Sequence, residues 1–298
     1  MAPITEPSHL LNPLATSLQL ETSASQLDGL PSELEDSVRF ETARLTQAAG
    51  ILLRLPQEII AQAIVILQRV WTGPDGGSLL EHDSKVTAAA ALFLAAKPSS
   101  QPVTPRQVLT SFAYLTSLPP GQLASSAAEG KLDSSWHLSE GQYEIKGNTL
   151  YEIEAHILRV LGFQTHVALP HTLCINYLQT LDVFQSSAGT LVAKAAFQHL
   201  NTALLSTQLL YLTHQPSALA TAAIYLAAKD VGVKLPEVEW WEVFDLDREE
   251  LGFLVVALRS AEGFSLEEQR KWGRRKVPTS VEELQAEIER SRMLENGQ

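Results

Sequence analysis

The residues able to do chemistry in this chain are plentiful but poorly arranged for catalysis. Among 298 residues there are 34 acids, 22 lysines and arginines, eight histidines and one cysteine, Cys174. No GxxxxGK[ST], GxGxxG, HExxH or GxSxG pattern occurs, so phosphate-loop, dinucleotide, zinc-protease and serine-hydrolase readings all lack their local signature. DLDREE, from Asp245 to Glu250, invites a calcium loop, but the sixth position needs glycine and holds Glu250. Acids crowding a helix start explain it better, because they complement the dipole. His166 and His171 have no further ligand spacing and read as ordinary histidines. No metal or cofactor is expected, and the chain is not expected to be an enzyme. What stands out is a binding chemistry. TAAAALFLAAKPSS, Thr87 to Ser100, ends an almost wholly apolar helix on Lys97 and then breaks it at Pro98. A lysine there offsets the helix dipole, covers apolar surface with its stem and projects its ammonium from the end of a rigid rod.

That rod has to be surrounded. A helix apolar on all sides must be buried, and alanine allows close backbone approach with the highest helix propensity. The spacing predicts helices around it. FETARLTQAAGILLRL carries Phe40, Leu45, Ala48, Ala49 and Leu52 at three- and four-residue intervals. Pro56 ends that helix and opens QEIIAQAIVILQRVW. Asp83 or Ser84 is expected to cap the alanine helix, and Thr104-Pro105 to start the next. Residues 116 to 138 read as a Pro/Gly/Ser-rich loop, and a long helix follows from Glu140 to Leu161, stopped by Gly162. Residues 1 to 37 show little periodicity and are expected to be an arm, extended or docked. No strand-like alternation is convincing.

The second half repeats the first. LFLAAK, ending at Lys97, returns as IYLAAK, ending at Lys229, at an offset of 132 residues. Seven of the eleven residues from 87 to 97 match at that offset. In both halves the alanine helix follows an amphipathic helix and precedes a shorter one (Thr104 to Leu115; Val238 to Phe244), and a longer helix closes the unit, the second from Asp247 to Gly263. The expectation is an all-α chain of two five-helix units in tandem. Lys229 reads as structural or solvated.

Two five-helix units, each with a central helix ending in lysine, resemble the cyclin fold. AAGILLRLPQ (residues 48 to 57) is similar to the opening of the box in transcription-type cyclins, nearest to the cyclin-L group. ILRVLGF (Ile157 to Phe163) followed by HVALPH (His166 to His171) resembles that group's junction between boxes, and NPLATSLQLETSASQLDG resembles the arm of fungal members. On this resemblance the chain divides into an arm (1–37), a first cyclin box (38–165), a second (166–263) and a short tail (264–298). It implies a partner, a cyclin-dependent kinase bound as a heterodimer, whose mobile αC helix the cyclin holds in the active position. It also implies three charged positions in the first box: Arg39, eleven residues before Gly50, together with Lys97 and Glu154. Lys97 would donate, and Glu154 accept, hydrogen bonds at the kinase loop beside αC. Two departures stand out. Pro98-Ser99-Ser100 replaces the acids that usually follow the lysine, and Gln68 stands where many cyclins carry the acidic partner of Arg39.

The resemblance implies a regulatory subunit of a kinase acting in RNA polymerase II transcription or RNA processing, hence a nuclear protein. The alternative is a nucleic-acid-binding factor of the transcription factor IIB type, which shares the double fold. A formal charge of −12 opposes it, since such a surface repels phosphate backbones. A lone thiol fits a reducing compartment, and no membrane association is expected from the short apolar runs. RKWGRRK offers Arg270, Lys271, Arg274, Arg275 and Lys276, either as a nuclear import signal or as a solvated basic turn before the last helix.

Overall fold

The structure, a computed structural model, describes residues 9–119 and 136–296, so most of the expected Pro/Gly/Ser-rich loop lies outside it. The described residues form thirteen α-helices and no strand. They divide into two compact units. Of the described residues, the first bundle comprises those within 15–165 and 266–296, and the second 9–14 and 166–265.

In the first bundle, the arm is partly helical rather than extended. Thr16 caps α1 (Ser17–Glu21) through a capping box with Gln19, and Ser23 caps α2 (Ala24–Leu27). Helix α3 runs from Ser32 to Leu52, starting six residues before residue 38, where the first box is expected to begin. The polar SELEDS segment hid it. Glu35 and Ser37 are buried there beside Leu34 and Val38, and buried polar groups carry no hydrophobic period. Helix α4 (Gln57–Val70) follows Pro56. The two helices come close at Gly50, where an added Cβ would lie 2.4 Å from Ile60 Cγ1.

Helix α5 (Ser84–Ala96) is the rod. It packs against α3, α4, α6 (Pro105–Ser117) and α7 (Glu140–Val160), and Ala88, Ala90, Ala91, Leu92 and Ala96 are wholly buried. Thr104 caps α6 as its sequence predicts. Asp83 sits at the N-cap of α5 but its side chain makes no cap bond; its Oδ1 instead accepts from Val281 N at 2.9 Å. Beyond α7, Gly162 takes the left-handed conformation expected of a helix stop (φ +55°).

The second bundle contains α8 (Pro170–Thr180), α9 (Gly189–Ala203), the short α10 (Leu210–Thr213) and the second alanine rod α11 (Pro216–Val231). Around α11 pack α8, α9, α10 and a five-residue 3-10 turn, Trp240–Phe244, which takes the place of the short fourth helix. The Tyr177 and Phe244 rings stack at 3.9 Å within this bundle. Asp247 Oδ1 accepts from Glu250 N, so DLDREE is a helix start as its composition suggests. Asn12 anchors the arm here: its side chain exchanges 2.8 Å hydrogen bonds with Ala168 N and O.

Helix α12 spans Arg248–Trp272, passing through Gly263 where the repeat predicts a stop. A single mid-helix glycine costs only about 1 kcal/mol relative to alanine. Residues 266 onward belong to the first bundle, where Trp272, Val277, Leu284 and Ile288 are buried and α13 (Val281–Asn296) follows. The tail is therefore part of a core.

Candidate partner-binding site

Lys97 is the C-cap residue of α5, and its backbone N–H bonds to Phe93 O. One turn back, the Phe93 ring lies 4.7 Å from Lys97 Nζ, a cation–π contact that holds the stem against apolar surface. Tyr151 of α7 meets the same ring edge-on at 6.1 Å. Glu154 follows one turn later on α7, and its Oε1 accepts from Lys97 Nζ at 2.5 Å. The pair is asymmetric: the Glu154 side chain is 8% exposed and that of Lys97 51%.

That asymmetry defines what the site can do. Lysine has three N–H donors, and one goes to Glu154. The buried carboxylate fixes the ammonium while its solvent side stays available to a carbonyl of another molecule. Tyr151, half exposed, opens onto a groove between α6 and α7 lined by Pro105, Arg106, Leu109 and Tyr143. Arg106 lies over the Tyr143 ring at 4.5 Å and pairs with Glu140.

Arg39 does a different job. Its guanidinium pairs with Glu35 at 2.6 Å on its own helix and donates to Trp71 O at the end of α4. Glu35 also accepts from Ser23 Oγ at 2.7 Å and Gln26 Nε2 at 2.8 Å. Arg39 thus joins α3, α4 and the α2 arm, and Glu35 replaces the acid that Gln68 fails to supply. The i, i+4 spacing of Glu35 and Arg39 was the sequence signal for this pair. Phe93 and Tyr151 were likewise findable, lying four residues before Lys97 and three before Glu154.

In the basic segment, Lys271 Nζ bonds to Ser37 Oγ at 3.2 Å. Arg275 lies 4.4 Å over the Trp272 ring and pairs with Glu287 at 2.9 Å. Lys276 donates to Thr116 O at 2.5 Å. Arg270 and Arg274 are exposed. Lys271 and Lys276 therefore hold the tail to the rest of the first bundle, while Arg275 braces the tail internally. His166 and His171 bond to His9 O and Asn201 Oδ1. Lys229 is exposed in the last turn of α11. No described helix is long and apolar enough to cross a membrane.

No protein-family model matches the chain. Curated proteins do. Cyclin-L1 of Danio rerio is 29% identical over 281 residues, 94% of this chain and 52% of the relative. Cyclin-L1 of Homo sapiens is 32% identical over 234 residues, 78% and 41%, and Cyclin-L1-1 of Arabidopsis thaliana 32% over 235 residues, 77% and 51%. The chain thus spans about half the length of these relatives. Among solved structures, a chain of the yeast RNA Pol II CTD kinase CTDK-1 complex matches with TM-score 0.66 at 13% identity, over 95% of this chain and 84% of that one. A chain of the CAK complex of Chaetomium thermophilum bound to ATP-gamma-S matches with TM-score 0.56 at 16% identity, over 85% and 70%. The structural likeness carries the fold and the sequence likeness carries the kinship: the chain belongs to the cyclin family, within its cyclin-L group.

Proposed function

We propose that this chain is a regulatory subunit that binds and activates a cyclin-dependent kinase acting in RNA polymerase II transcription or RNA processing, in the nucleus. The observation that carries this reading is the Lys97–Glu154 pair at the end of the buried rod, with half of the lysine left to solvent. Kinase activity requires an ion pair between a β3 lysine and an αC glutamate, and αC position controls it. A rigid surface that binds only the inward αC shifts that equilibrium. Moving it from 1:99 to 99:1 takes about 5.5 kcal/mol of differential affinity, within reach of an ordinary interface. No catalytic group is asked of the cyclin. The names of the relatives and the kinase complexes among the structural neighbours support the reading.

The test is affinity purification followed by a kinase assay on an RNA polymerase II tail peptide. One co-purifying kinase, activated by the added chain, is the expected result; no kinase would leave a helical scaffold. The formal charge of −12 favours a protein partner over DNA. Tight, salt-sensitive gel shifts of plain duplex would support the transcription factor IIB-like alternative instead.

A further inference from the structure

In the first bundle the turn before α5 approaches α7 at a second place, away from the Lys97–Glu154 pair. Glu81 and His82 lie in that turn, and His156 lies on α7. One ligand atom from each of the three lies within 4.8 Å of the other two. The imidazoles of His82 and His156 meet edge to face at 4.7 Å, and His82 Nε2 is 3.7 Å from Glu81 Oε1. His156 Nε2 is shut off from solvent and has no hydrogen-bond partner. Buried ring nitrogens are almost always bonded, so an orphan needs an explanation. The enclosing backbone is tight, since a Cβ on Gly77 would lie 3.4 Å from that nitrogen.

We propose that Glu81, His82 and His156 form a binding site for one divalent transition-metal ion of the zinc class. Two imidazoles and one carboxylate suit zinc's borderline character, with water in the fourth position. Bonds of about 2.0–2.2 Å place tetrahedral ligands about 3.3–3.5 Å apart, so the three groups need to close by up to about 1.5 Å. Glu81 is exposed and His82 only half-buried, so both are free to swing towards the more enclosed His156. Glu81 supplies negative charge, while Arg159 opposes a cation at the same histidine. The site therefore fits a moderate-affinity ion that steadies α7, the helix carrying Glu154. The inference stands apart from the kinase reading, and its test needs no kinase. It departs from the sequence expectation of no metal because His82 and His156 are distant in the chain.

The untagged full chain, stripped with chelator and dialysed, is titrated with Zn²⁺ by calorimetry and with Co²⁺ by visible absorption. One equivalent of Zn²⁺ and tetrahedral-type Co²⁺ bands are expected. His82→Asn and His156→Gln should each weaken Zn²⁺ binding by about 100-fold or more, beyond the 10- to 100-fold typical of outer-shell changes. His166→Asn should leave it unchanged. Should His156→Gln fail to fold by circular dichroism, His82→Asn in the exposed turn decides. Absence of stoichiometric Zn²⁺ binding, or equal affinity in His82→Asn, overturns the site. Zinc should also raise the melting temperature of the parent chain but not of His82→Asn.

Discussion

Replacing Lys97 by alanine separates the two roles its geometry combines. In the free chain the change leaves the Glu154 carboxylate, 8% exposed, without its cation. Fully buried pairs broken in this way cost about 3–5 kcal/mol and exposed ones about 0.2–1. Lys97 is half exposed, so the folded chain should lose about 1–2 kcal/mol. On the proposed interface the kinase covers the ammonium, and removing one partner of a hydrogen-bonded charge pair costs about 2–5 kcal/mol. Taking the lower half of that range, about 2–3 kcal/mol, the kinase dissociation constant should rise about 30- to 150-fold. Urea unfolding of the free chain gives the first number, and calorimetric titration with the co-purified kinase gives the second. Glu154→Gln keeps the shape and removes the charge. The double variant Lys97→Ala/Glu154→Gln should lose little more than the worse single variant, because the pair acts as a unit. A stability loss of the stated size with kinase affinity within threefold of the parent would refute the interface role and leave a purely structural salt bridge.

Three further outcomes follow from the packing. Arg39→Met should destabilise the free chain by about 2–3 kcal/mol in urea, since Glu35, with its side chain 3% exposed, loses its cation, yet leave the affinity of the folded protein for the kinase unchanged; weaker binding with intact stability would place Arg39 at the interface. Gly50→Ala should cost about 1–3 kcal/mol through overlap with Ile60, and Ile60→Ala should cost less in that background than alone; additive losses would contradict the close approach. Cys174 is buried and its thiol is pushed up to about 12, so at pH 8 it is protonated in the folded chain and labelling by a disulfide reagent should follow unfolding; fast labelling of the native protein would contradict the burial.

The rods were legible because alanine-rich helices with bulky apolar residues and no charge have one physical resolution, complete burial. Lys97 was legible because a single cation before a proline marks an end. The cap at Thr104 and the stop at Gly162 were equally plain, each having a local cause. Other features needed three dimensions. Glu35 lies in a polar stretch without hydrophobic period, and only the fold brings Arg39, Ser23 and Gln26 onto it. Gly263 read as a stop, but Trp272 lies buried nine residues on and carries α12 past it. The Glu81–His82–His156 cluster has no sequence signature, since a turn and a helix far apart in the chain assemble it. The basic segment read as an import signal or a solvated turn, and charge alone did not reveal that Lys271 and Lys276 reach back to Ser37 and Thr116.

Each bundle takes its missing piece from the far end of the chain: the second holds residues 9–14 through Asn12, and the first holds residues 266–296 through Trp272, Leu284 and Ile288. On the ribosome this inverts the usual order. Domains generally fold as they emerge, N-terminal first. Here the earlier bundle waits for residues 266–296 to be made, whereas the later one has everything it needs once residue 265 has left the exit tunnel. A premature stop near residue 265 would therefore injure the half of the protein that was translated first.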